Sequence, residues 1–160
     1  MRQVIILLGI LFFLSGCCVS KTGTKKLSSR KSEKMIYKVL INSALYGNGK
    51  EGIASGGYVI KNQKSWKELL DKMGRVNKIP EILDTSRIDF SDQMLVAVFS
   101  RVMGSGGVEA KVQDVTQDCK HIRVKTDFES MGRFGIAVMS QPYTILVLKK
   151  SNKEVIFEIN

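Results

Sequence analysis

Met94 to Phe99, MLVAVF, is apolar at every position. A strand with one face in water alternates apolar and polar side chains, so a run without alternation is expected to be a central strand, covered on both faces. Patterns of period two follow it. Val108, Ala110 and Val112 alternate with Glu109, Lys111 and Gln113, and Ile122 and Val124 alternate with His121, Arg123 and Lys125. MIYKVLINSALY and Gly57 to Lys61 read as further strands, and Ile145 to Leu148 and Val155 to Ile159 are expected to finish the chain as a hairpin around KKSNKE.

One helix stands out among these strands. Trp66, Leu69, Leu70 and Met73 recur at i, i+3, i+4 and i+7 and make a single apolar stripe. Ser65 and Glu68 match a capping box, Asn62 offers a cap one turn earlier, and Gly74 stops the helix. Trp66 is expected to be a core anchor under the sheet. The fold class expected is α+β, a mainly antiparallel β-sheet domain over residues 35–160 with one amphipathic helix.

The start of the chain reads as address rather than fold. Met1-Arg2 precedes an eleven-residue apolar stretch, Val4 to Leu14. At about 1.5 Å per residue it reaches roughly half of the ~30 Å hydrocarbon core, which suits a signal peptide and not a spanning helix. LSGC, Leu14 to Cys17, resembles the lipobox of bacterial lipoproteins, so residues 1–16 are expected to be removed and Cys17 to carry the lipid. Choosing Cys18 would put Ser15 where the aliphatic residue belongs. Two acyl chains, with a third commonly added on the amine, exceed the two-signal threshold for stable anchoring.

Charge follows the same division. The chain carries +10 overall, yet residues 18–34 hold six basic residues against Glu33 alone, and residues 35–160 keep only 18 basic against 14 acidic. Basicity is thus concentrated in an expected tether, residues 17–34, rich in Ser, Thr, Gly and Lys and too poor in apolar side chains to bury a core. Nucleic acid is not an expected partner, because the charge does not build a folded basic face. The expected location is the cell envelope, anchored by lipid to a membrane, the outer one in a cell that has two.

The sequence holds little that could do chemistry. With one histidine, His121, an H-E-x-x-H zinc site cannot be assembled; His121 falls on the polar side of an alternating strand with Arg123 two residues on, and no G-x-S-x-G elbow is present to supply a nucleophile. Cys119 and His121 would share one side of a strand, with Asp118 facing away, which falls short of the ligands zinc requires. Cys119 is expected to be semi-buried. Asp89 and Asp92 in IDFSD read as a turn that bonds its own backbone, although with Glu129 they are the candidates for a carboxylate-based enzyme. Gly104 to Gly107, GSGG, lacks the Lys-Ser or Lys-Thr of a phosphate loop and precedes a strand, so these glycines are expected to supply positive-φ positions in a turn from Phe99 to Val108. No cofactor or metal is expected.

Four segments in order, VIKNQKSWKELLDKM (Val59 to Met73), IDFSDQMLVAVFS (Ile88 to Ser100), SGGVEAKVQDV (Ser105 to Val115) and SQPYTILVLKK (Ser140 to Lys150), resemble the domain named after the C-terminal part of the protease complex subunit PrcB. In that family a strand leads to a Thr/Ser-Gly-Gly turn, usually followed by an aromatic, and a Pro-Tyr pair later opens another strand. Val108 stands where the aromatic is common, and SRVMG lacks the usual Gly-Arg-Pro character. The resemblance implies an exported lipoprotein without catalytic residues, a binding or accessory module for an envelope or surface protease complex. Arg101, Met103, Gly106, Gly107, Pro142 and Tyr143 are its candidate motif and contact residues, Pro142 and Tyr143 having an equally good structural reading. An inhibitor that presents the Gly-rich turn to a protease is the alternative.

Overall fold

The computed structural model describes residues 32–78, 83, 88–132 and 137–160; the expected signal peptide, Cys17 and Cys18 lie outside the described residues. Among the described residues eight strands and a helix follow in the order β1 (Glu33–Lys34), β2 (Tyr37–Leu45), β3 (Gly56–Ile60), α1 (Gln63–Met73), β4 (Gln93–Phe99), β5 (Val108–Gln117), β6 (His121–Ser130), β7 (Gln141–Lys149) and β8 (Glu154–Ile159). They form two four-stranded sheets, ordered β1-β5-β6-β8 and β2-β7-β4-β3. All pairings are antiparallel except β6 with β8. The mainly antiparallel α+β class is what the molecule has. Among the described residues no helix is long and apolar enough to cross a membrane.

The apolar run MLVAVF explains the layering. Met94, Val96 and Val98 join Leu146 and Leu148 of β7 and Val115, Ile122 and Val124 of the other sheet in one core between the sheets. Their neighbours Leu95, Ala97 and Phe99 face the opposite way, with Tyr143 and Ile145, into a second core closed by Trp66, Leu69 and Met73 of α1. The second sheet is therefore a middle layer, with β4 inside it between β7 and β3. Asn62 caps α1, its side-chain oxygen accepting from Ser65 N–H at 2.9 Å, so the helix begins one turn before the Ser65–Glu68 box. Gly74 ends it, donating to Leu70 O at 2.8 Å.

Two expectations need correction. Ile145–Leu148 and Val155–Ile159 do not form a hairpin: β7 is flanked on both edges by β2 and β4, so β8 crosses to the other sheet and runs beside β6, Ile122 opposite Val155. The domain also starts before residue 35, because Glu33 and Lys34 pair with Gln117 and Thr116 of β5. Two residues read as tether are strand.

The connection after β2 holds a carboxylate that sequence reading passed over. Glu51 is fully buried, accepting from Gly47 N–H at 2.8 Å and from the Asn77 side chain. Asn77 in turn accepts from Tyr46 N–H at 2.7 Å and donates to Met73 O at 3.3 Å. Backbone donors that would otherwise be stranded are satisfied, and the end of α1 is tied to the loop that leads to Ile53 and β3.

Candidate functional site

The site grows from the end of β4. Phe99 is fully buried; it stacks on Tyr143 with ring centroids 5.2 Å apart and meets Tyr58 edge-on at 5.6 Å. Past it the chain stays bound to β7: Ser100 N–H donates to Pro142 O at 2.9 Å, and Met103 and Ser140 exchange two backbone bonds of 2.7 and 2.9 Å. Ser140 Oγ donates to Ser105 O at 2.9 Å. Gln141, also buried, sends its Nε2 to Ser100 O at 2.9 Å and Ile53 O at 3.0 Å, clamping the segment to the loop before β3. The segments that open on the Gly-rich stretch and on Pro142-Tyr143, distant in sequence, are laid side by side.

The result is a cleft of about 430 Å³. Phe99, Met103, Phe128 and Ile159 give it apolar walls, and Arg101 and Ser55 stand at its polar margin. Arg101 is exposed and, among the described residues, in no ion pair. Asn160 closes the end near β6, donating from its side chain to Asp127 Oδ1 at 2.8 Å. An apolar trough with a guanidinium at its rim that forms no ion pair among the described residues suits an extended peptide segment with an acidic or carbonyl-rich flank.

Of the six candidate residues, Arg101 and Met103 border this cleft. Pro142 and Tyr143 do not reach the surface; both are buried in β7, and burial pushes the Tyr143 phenol up to about 12, so it stays neutral and acts as packing. Gly106 is buried and Gly107 exposed. Only Gly107 among the glycines of this segment has positive φ, at 80°, so the expectation that several share that role is too broad. The turn also links two different sheets, β4 to β5, and is not a hairpin connection.

At Gly107 an added Cβ would meet nothing within 4 Å, so backbone conformation alone decides the cost of a side chain there. Gly107→Val is expected to destabilise the domain by about 2 kcal/mol, since a β-branched residue is strained at positive φ. Urea unfolding measures it. A neutral result would show that the backbone relaxes to negative φ without losing the bond that Gly107 O accepts from Met131 N–H at 2.8 Å.

The other candidates fall elsewhere. Asp89 accepts from Ser91 N–H at 2.8 Å and Ser91 Oγ at 2.6 Å, which is the expected turn; those bonds lower its pKa. Glu129 pairs with Lys111 at 3.2 Å, and it and Asp92 border separate depressions, so these three carboxylates are not assembled into one site. Asp118 faces His121 rather than away from it, 3.4 Å from Nδ1, because it lies in the turn before β6 and outside the strand's alternation. Backbone bonds from Lys120 and the Arg123 guanidinium hold its carboxyl well below the usual range. That contribution to stability is present above the ordinary carboxylate pKa and lost as pH falls toward the folded value. Cys119 is exposed rather than semi-buried. Among the described residues no three His, Cys, Asp or Glu side chains cluster as metal ligands.

Sequence reading missed Gln141, whose only signal is an amide ahead of a proline in an otherwise apolar strand, and Phe128 and Ile159, which look like ordinary strand residues. No family model matches the chain, and no curated protein or solved structure is detectably similar to it.

Proposed function

We propose that this protein is a non-enzymatic lipoprotein of the cell envelope, held on a membrane through Cys17, whose folded domain docks a segment of an exported partner in the cleft beside Arg101 and Met103. The observation that carries the reading is the cleft itself: an apolar trough of about 430 Å³ rimmed by an arginine in no ion pair among the described residues, built where two segments resembling the PrcB family lie against each other. Arg and Met are favoured interface residues, and a buried aromatic floor provides the desolvated centre that binding hot spots need. An envelope protease complex is the kind of assembly that the resemblance suggests for the partner.

An accessory role is favoured over an inhibitory one by the shape of the Gly-rich segment. An inhibitor presents a convex loop to an active-site cleft, whereas here Met103 and Ser105 are bonded down onto Ser140 and Met103 borders a concavity. Such a surface receives a segment. Adding the protein to its partner protease should leave peptide hydrolysis unchanged; inhibition at stoichiometric concentration would move the reading to the alternative.

The test has two arms. Cys17→Ala is expected to abolish lipid attachment, so the chain no longer partitions into detergent as the wild type does, while Cys18→Ala leaves partitioning intact. Capture of envelope proteins by the anchored wild type, compared with an Arg101→Ala/Met103→Ala variant of equal thermal stability, is expected to lose its specific partner by about tenfold, because two interface anchors are truncated. Full capture by that variant would move the binding face elsewhere; unchanged partitioning of Cys17→Ala would end the lipoprotein reading.

A further inference from the structure

The folded domain has a second surface, at the end where residue 33 enters the sheet. Ile36 is 94% exposed between β1 and β2, the most exposed large apolar side chain among the described residues. It borders two adjoining depressions. One is lined by Lys34, Lys149, Lys150 and Lys153, the other by Lys38 and Lys149. These lysines come from β1, β2, the end of β7 and the turn into β8, so the fold gathers them from segments far apart in sequence.

Their charges are not neutralised by close partners. Lys150 Nζ donates to Phe90 O at 2.6 Å and Lys153 Nζ to Gln117 Oε1 at 2.8 Å, both uncharged acceptors. Among the described residues none of the five lysines is in an ion pair. Asp92 is the one acid in the lining of the two depressions; Asp89, whose charge is felt by Lys150, accepts from Ser91 through Oδ1, and Glu33 and Glu154 are the chain neighbours of Lys34 and Lys153. Five lysines against one carboxylate in the lining leave the two depressions basic, with Ile36 bordering both.

We propose that this face docks on the surface of an anionic bilayer, Ile36 entering the headgroup boundary while Lys34, Lys38, Lys149, Lys150 and Lys153 meet lipid phosphates. Exposed apolar side chains flanked by lysine are the combination that interfacial binding uses, area and charge acting together. The occupant is argued from chain length as well as charge. Fifteen residues lie between Cys17 and Glu33, and the sixteen steps from one to the other can span no more than about 58 Å, so an acylated Cys17 keeps this end of the domain near its membrane. The same stretch of sequence carries Lys21, Lys25, Lys26, Arg30 and Lys31. This refinement rests on the lipoprotein reading for its geometry. Arg101 and Met103 lie outside both depressions, so the partner cleft is not consumed by membrane contact.

The experiment is vesicle co-flotation of the mature chain from residue 17 onward with Cys17→Ser, so that no acyl chain contributes. It is expected to float with vesicles containing phosphatidylglycerol and to stay in solution with pure phosphatidylcholine. Each lysine near an anionic surface is worth about fivefold in partitioning. Lys34→Glu/Lys38→Glu/Lys149→Glu should therefore reduce flotation by a hundredfold or more, and Ile36→Asp should reduce it severalfold, with unfolding midpoints unchanged because all four side chains sit at the surface. Lys25→Ala/Lys26→Ala, in the tether, should cost much less than the triple reversal. A triple variant that floats like its parent, or an Ile36→Asp variant that does, overturns the proposal and leaves attraction to the tether alone. Because the probe lacks lipid, these outcomes are read independently of whether Cys17 is acylated in the wild type.

Discussion

Trp66→Ala is expected to lower the stability of the domain by about 3 to 5 kcal/mol, read as a shift of the urea midpoint at constant m-value. Trp66 is fully buried on the apolar face of α1, against the side of the middle sheet that carries Leu95, Ala97 and Phe99. The helix is only eleven residues long and is not a stable structure by itself, so its attachment depends on what that face buries. Truncating the indole removes the largest side chain in the layer and leaves a cavity between two rigid elements, which cannot collapse around it. The indole Nε1 has no hydrogen-bond partner among the described residues. Trp66→Phe is therefore expected to be far milder, about 1 kcal/mol, since it loses some volume but also removes a stranded donor. A loss under about 0.5 kcal/mol for Trp66→Ala would mean that α1 packs elsewhere.

The parts of this fold that were legible in the sequence are those that periodicity determines. MLVAVF announced burial on both faces, the Trp66 stripe announced a helix with one buried side, and each alternating run announced a strand with one wet face. Periodicity says which side of a strand is buried and nothing about which strand lies beside it. Val155 to Ile159 looked like the partner of Ile145 to Leu148 because a short polar connection separates them; the pairing is lost because β2 and β4 already occupy both edges of β7. That competition is long-range, and no local pattern records it. Glu33 and Lys34 were invisible for a related reason: a two-residue edge strand has no pattern, only a neighbour.

The candidate cleft was half legible. Arg101 and Met103 could be singled out because they flank a glycine-rich stretch between strands, but their opposite wall, Phe128 and Ile159, comes from the ends of β6 and β8, and becomes adjacent only once β8 is parallel to β6. Gln141 and Glu51 escaped for another reason. A buried amide or carboxylate is recognised by the backbone groups it satisfies, and Ser100 O, Ile53 O and Gly47 N–H are identifiable as partners only in the folded chain. The basic face around Ile36 is the clearest case, because its lysines come from β1, β2, the end of β7 and the turn into β8.

Gly57→Val is expected to destabilise the domain by about 3 kcal/mol, and the loss should disappear in large part when Phe157 is also replaced by alanine. Gly57 sits in β3, paired with Val98 of β4, at an edge of the middle sheet. Phe157 sits in β8, the edge of the other sheet, packed on the core between the sheets. A Cβ built at Gly57 would overlap the Phe157 ring on three of its atoms, so the two edges touch at this point only because residue 57 has no side chain. The backbone conformation at Gly57 is not the constraint, in contrast to Gly107, whose positive φ is strained for any other residue with open space around it. Overpacking at a closed seam forces the ring off its rotamer or the strands apart, typically at 1 to 3 kcal/mol, and a β-branched residue at the point of closest approach belongs at the upper end. Phe157→Ala alone should cost a similar amount by leaving a void. In the double variant the valine methyls occupy part of the vacated ring volume, so the two losses should fall short of adding by 1.5 kcal/mol or more, a coupling that independent sites do not show. Additive losses would mean that strain is not what keeps residue 57 a glycine, and that the two sheets are held together elsewhere along the sandwich.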